Sequence, residues 1–117
     1  MVGLVSILTA CNHPAKITDF IPGTYVNHAE SVYSVANDTL AISADRDNAN
    51  SYHIVRRTGF WRKNERQIPQ HKIKTFIGVW SDQQQTLQLN QNGVLILFHP
   101  AKNELSIENS IYLKLKK

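Results

Sequence analysis

The stretch Thr86-Leu-Gln-Leu-Asn-Gln-Asn-Gly-Val-Leu-Ile-Leu-Phe98 decides the fold. Leu87 and Leu89 alternate with Gln88 and Asn90, which is the period of a strand with one buried face. Asn92-Gly93 then breaks the apolar pattern with the dipeptide that most favours a tight turn, because both residues tolerate positive φ. Val94 to Phe98 follows as a run that is apolar on both faces. Such a run predicts a central strand, covered on its outside by another element or by a partner.

Outward from this hairpin the same period recurs. Tyr25-Val26 follow the turn dipeptide Pro22-Gly23. Leu40 and Ile42 alternate with Thr39, Ala41 and Ser43, and Tyr52, Ile54 and Arg56 with His53, Val55 and Arg57. Ile73, Thr75, Ile77 and Val79 fall on one face, with Lys74, Phe76, Gly78 and Trp80 on the other. Leu105 and Ile107, then Ile111, Leu113 and Leu115, complete the series. Asp45 to Asn50, Pro100 to Asn103 and Asn109-Ser110 read as loops and turns. Ile17 to Phe20 and Glu65 to Gln70 are the two places left for a short helix or turn. Strand starts spaced about 8–12 residues apart belong to a meander, barrel or sandwich. Short links favour pairing of neighbours in sequence. The expected class is therefore all-β: a single small antiparallel barrel or curled meander of about eight strands, lipocalin-like or SH3-like.

At 117 residues the chain has room for one domain, and 42% hydrophobic with 19% charged residues suits a folded one. A single cysteine excludes an intrachain disulfide framework and a Cys-rich zinc site. The formal net charge of +4 is small for a dedicated nucleic-acid binder.

The N-terminus carries an address. Met1 to Ala10 is apolar and small, too short to span a bilayer but long enough for a signal-peptide core. Leu8-Thr-Ala-Cys11 resembles a bacterial lipobox, in which the peptide is cut before the cysteine and the thiol receives lipid. The expected division is a signal-peptide remnant at 1–10, a lipidated tether at 11–19 and an all-β domain at 20–117. Acyl chains on Cys11 would hold the domain on a membrane. No Lys or Arg precedes the apolar stretch, which departs from a full precursor. No acidic run follows Cys11, so the expected location is the cell envelope, facing the periplasm.

Few residues suggest chemistry. His28 and Glu30 share a strand face and, with His53, form the best zinc set the chain offers, yet the spacing matches no established metal motif. Asp45-Arg-Asp-Asn-Ala-Asn50 lacks the ligands of a calcium loop at its later positions. There is no G-x-S-x-G, phosphate loop or nucleotide fingerprint. The expectation is a protein that is not an enzyme, with no cofactor and no metal.

Charge is more informative. From Arg56 to Lys74 seven Lys and Arg residues face only Glu65, so the rest of the chain is net acidic. Phe60 and Trp61 are interleaved with these cations, a mix that interface hot spots favour. The candidate contact residues are Arg56, Arg57, Phe60, Trp61, Arg62, Lys63 and Arg66. The expected function is a lipid-anchored accessory or interaction protein that binds an envelope protein through this basic aromatic segment. Nucleic acid is disfavoured by the anchor. The alternative is a lipocalin-like carrier of a small apolar ligand, lined by Tyr25, Phe76, Trp80 and Phe98. An internal cavity of about 300 Å³ or more would favour the carrier.

The stretches Phe-Ile-Pro-Gly-Thr-Tyr-Val (20–26), Ser-Val-Tyr-Ser-Val-Ala-Asn-Asp-Thr-Leu (31–40) and Arg-Arg-Thr-Gly-Phe-Trp-Arg (56–62) resemble small lipoproteins carried on conjugative transposons of Bacteroidetes. The resemblance implies an envelope location and an association with DNA-transfer gene clusters. It implies no activity. Asp38-Thr39-Leu40 also matches the short pattern on which these bacteria add O-glycans, but an ordinary Asp-Thr pair at the start of a strand is the plainer reading.

Overall fold

Eight strands pair in sequence order and close on themselves, β1 through β8, into an up-and-down antiparallel barrel. The computed structural model describes residues 16–31, 33–63 and 70–115. The strands are β1 Gly23–Glu30, β2 Ser34–Ala44, β3 Ser51–Arg62, β4 Gln70–Ser81, β5 Thr86–Leu89, β6 Leu95–His99, β7 Glu104–Ile107 and β8 Ser110–Lys114. A short helix, α1, spans Ile17–Phe20. The stretch from Glu65 to Pro69, along with the signal-peptide remnant, Cys11 and Arg66, lies outside the described residues.

The hairpin that announced the fold is present, with a five-residue connection at 90–94. Gly93 takes φ 72°, its amide donates to the Leu89 carbonyl, and the Leu89 amide bonds the Val94 carbonyl at 2.8 Å. Ile96 and Phe98 point inward and are buried. Leu95 and Leu97 point outward at 42% and 43% exposure. Among the described residues no element covers them, so the outer cover expected for this strand is not supplied by the barrel itself.

Alternation decides the interior of every strand. Tyr25, Leu40, Ile42, Tyr52, Ile54, Trp80, Leu87, Leu89, Ile96, Phe98, Leu105 and Tyr112 form one core. On β4 the inward face is Phe76, Gly78 and Trp80, whereas Ile73, Ile77 and Val79 face out. Gly78 is needed inside. A Cβ there would lie 3.0 Å from Leu87 Cγ and 3.1 Å from Ile54 Cδ1. Gly78→Val is therefore expected to cost about 1–3 kcal/mol through overpacking, read as a lowered urea midpoint.

One end of the barrel is closed. Helix α1 begins within the stretch read as a tether, and its Ile17 and Phe20 pack on the core beside the fully buried Ile21. The Tyr25 hydroxyl donates to the carbonyls of Phe20 (2.8 Å) and Ile21 (3.0 Å). Lys114 Nζ donates to the Phe20 carbonyl and sits 4.2 Å from the Phe20 ring centroid. These bonds satisfy the carbonyls at the end of a helix too short to stand alone.

The other end is open, and the sheet there outgrows the barrel. β1 meets β8 only at Tyr25 and Val26, and β4 meets β5 only from Gly78 to Ser81. β1 to β4 run on together to Glu30, Val35, Trp61 and Gln70. The result is a four-stranded sheet projecting past the rim. Where it leaves the barrel, side chains close the exposed edges. Asn27 Nδ2 donates to the Ile111 carbonyl (2.7 Å), and Gln91 Nε2 donates to the Thr75 carbonyl (3.2 Å). Lys72 and Lys74 lie on the outer β4 edge strand, where charge discourages strand addition.

Candidate functional site

The projecting sheet carries the basic aromatic segment, and the pleat divides it. Arg56, Thr58, Phe60 and Arg62 face the concave side that continues the barrel interior. Arg57, Gly59, Trp61 and Lys63 face the convex outside. Of the seven residues expected to form one contact patch, the six described ones therefore split three and three. Arg66 lies outside the described residues.

On the convex face, Arg57 and Trp61 stand on either side of Gly59. Across the register, Asn37 and Thr39 of β2 and His71 and Ile73 of β4 line the same groove, of about 410 Å³. Ile73 is 65% exposed, and Arg57 has no carboxylate partner among the described residues. Lys63 is occupied, since its Nζ lies 2.5 Å from Glu30 Oε2. Glu30 also meets His28 Nε2 at 3.5 Å, and His28 Nδ1 meets Asn37 Oδ1. The hydrogen bonds to Asn37 and Glu30 raise the His28 pKa, while those from Lys63 and His28 hold Glu30 below the usual carboxylate range.

On the concave face, Asp38 is the anchor, only 7% exposed. Its carboxylate accepts from Arg56 Nε (3.0 and 2.9 Å), Arg56 Nη2 (2.6 Å), Thr58 Oγ1 (2.9 Å) and the Tyr112 hydroxyl. Burial alone would raise the Asp38 pKa. The hydrogen bonds from Arg56, Tyr112 and Thr58 outweigh it and bring the pKa below the ordinary value. Burial, then the bond to Asp38, raises that of Tyr112. Arg56 is thus a structural cation, tied across the barrel mouth to β2 and, through Asp38, to β8.

Beneath this cluster a chamber of about 150 Å³ opens at the mouth. Its walls include Leu40, Ile54, Phe76, Ile96 and Ile107, and its rim carries Arg56, Asn92, Glu108, Ser110 and Tyr112. Of the four residues expected to line an apolar cavity, only Phe76 lines this chamber. Tyr25, Trp80 and Phe98 are packed at the closed end, edge to face with one another or with Phe20, at centroid separations of 5.9–6.3 Å. They are core because α1 stoppers that end, an arrangement no local pattern announces.

The zinc set is dispersed. His28 lies opposite Asn37 and pairs with Glu30, whereas His53 lies opposite Ser43 and meets Asp45 Oδ2 at 3.4 Å. Among the described residues no group of three His, Cys, Asp or Glu side chains is placed to hold a metal. No family model, curated protein or solved structure matches the chain.

Proposed function

We propose that this protein is a non-enzymatic binding protein of the bacterial envelope, held to a membrane by lipid on Cys11 and serving a conjugative element. In this reading the convex face of the projecting sheet docks an acidic surface on an envelope protein. The lipobox and the resemblance to transposon-borne lipoproteins support the location. The groove of Arg57, Trp61, His71 and Ile73 carries the docking role, because it pairs an exposed cation and an aromatic with apolar surface on one rigid sheet. Arginine offers a planar fork of donors to carboxylates, and tryptophan offers large contact area at little entropic cost.

Affinity capture from the native envelope with the full lipidated protein tests this. Arg57→Gln with Trp61→Ala is expected to weaken partner retention by about 100-fold, as removal of two hot-spot side chains does. Both side chains sit outside the core, so the variant keeps its melting temperature within a few degrees. Retention equal to that of the unchanged protein would refute the docking face.

A further inference from the structure

The concave side of the same sheet carries a second site, which meets the convex groove at Thr58 and Lys72. Arg56 borders two hollows. One is the apolar chamber of about 150 Å³. The other is a vestibule of about 200 Å³ lined by Arg56, Thr58, Lys72 and Lys74. The register places Lys74 opposite Arg56 and Lys72 opposite Thr58, and both lysines line this vestibule. Neither lysine has a carboxylate partner among the described residues. Asp38 neutralises Arg56, which leaves the two lysines as the uncompensated cations over the vestibule, with the carboxylate of Glu108 on the chamber rim.

We propose that the barrel mouth binds a compact apolar carboxylate, with its hydrocarbon body in the chamber and its carboxylate between Lys72 and Lys74, beside the Asp38-bound Arg56. A chamber of this volume accommodates a body of about six carbons, the size of benzene. The chamber lies below the ~300–1,000 Å³ span of ligand sites, so it would hold only the hydrocarbon body of a small ligand, with the polar end in the vestibule. The polar complement is also right: a few convergent donors at the edge of an apolar wall. A neutral hydrocarbon would leave the lysines unused, and an ammonium ligand would meet two cations against the one carboxylate of Glu108.

The test is a methyl-resolved NMR titration of the full protein with three probes of equal chain length: hexanoate, 1-hexanol and hexylamine. Hexanoate is expected to shift the methyl signals of Ile54, Ile96 and Ile107 saturably. It should bind roughly fivefold or more tightly than hexanol, as two near-surface charge contacts allow. Lys72→Gln with Lys74→Gln removes that preference, and high salt reduces it. Val94→Trp, placed at the chamber rim, blocks all three probes. The lysine variant alters only exposed side chains, so it gives a reading even where the tryptophan variant fails to fold. Absence of saturable shifts, equal affinity for hexanoate and hexanol, or shifts confined to the convex face would each overturn the proposal.

Discussion

Asp38→Ala is expected to destabilise the protein by about 3 kcal/mol, the cost of breaking a buried ion pair by removing one partner. The carboxylate is the shared acceptor for Arg56, Thr58 and Tyr112. Its loss strands a tyrosine hydroxyl on a side chain that is 3% exposed and leaves a guanidinium without its anion. The Arg56 side chain keeps 43% exposure, so water recovers part of that loss. This holds the figure at the low end of the ~3–5 kcal/mol such changes cost. Acid should reproduce the effect. The folded-state pKa of Asp38 lies below the ordinary value, so the unfolded chain takes up the proton first as pH falls. The stabilisation is present in full above the unfolded carboxylate pKa of about 3.9 and disappears as pH drops through the folded value. Urea unfolding at pH 7 and at pH 3 checks both statements. Asp38→Asn should show a flatter acid limb than the unchanged protein, and a variant of equal stability at pH 7 would contradict the role assigned to the cluster.

At the opposite end Phe98→Ala is expected to cost about 3–5 kcal/mol. Phe98 is 6% exposed and meets three rings, Phe20, Tyr25 and Trp80. Deleting it removes buried surface and opens a void under α1. For a domain of this size the loss corresponds to a melting temperature lower by about 12 °C or more. Phe98→Leu keeps most of the volume and should cost much less. A small effect of the alanine change would mean that the closed end is loosely filled, as a carrier cavity lined by Phe98 would require.

The two ends of the barrel differ in how far the sequence announced them. Strand alternation and the Asn92-Gly93 turn specify eight antiparallel strands, because each strand is half buried and a slip of one residue would turn its apolar set to water. The same alternation separates Phe60 from Trp61, so the division of the basic segment was legible once the segment was placed on a strand. The Asp38–Arg56 pair also had a signal. With Ala44 opposite Tyr52 across the loop at 45–50, the antiparallel register puts Leu40 opposite Arg56 and Asp38 opposite Thr58. Asp38 and Arg56 then share one face as diagonal neighbours, within reach of a long side chain. Closure of β1 on β8 and the seating of α1 had no such signal. Both depend on contacts between residues far apart in the chain, such as Tyr25 with Lys114 and Asn27 with Ile111. For that reason Tyr25, Trp80 and Phe98 could be read as cavity lining, although they are core.

The outward residues of the barrel follow a different logic from the projecting sheet. Leu95, Leu97, Ile111 and Leu113 are each between 42% and 54% exposed, on strands of five residues. A membrane-spanning strand needs about 9–11 residues, so β5 to β8 are too short to cross a bilayer. The long strands β3 and β4 instead carry Arg56, Arg57, Arg62, Lys72 and Lys74, and on β3 the arginines fall on both faces. This places Arg57, without a carboxylate partner among the described residues, on the convex side and an apolar chamber with cationic eaves on the concave side.

The central claim is that the two faces of one strand do different work, and adjacent positions on β3 test it most directly. A photoreactive side chain is placed at position 61, and in a separate variant at position 60, on the full protein produced in bacterial cells. A protein adduct is expected from position 61, mapping to an acidic segment of the partner, and none from position 60. Equal adducts from both positions, or an adduct from position 60 alone, would contradict it.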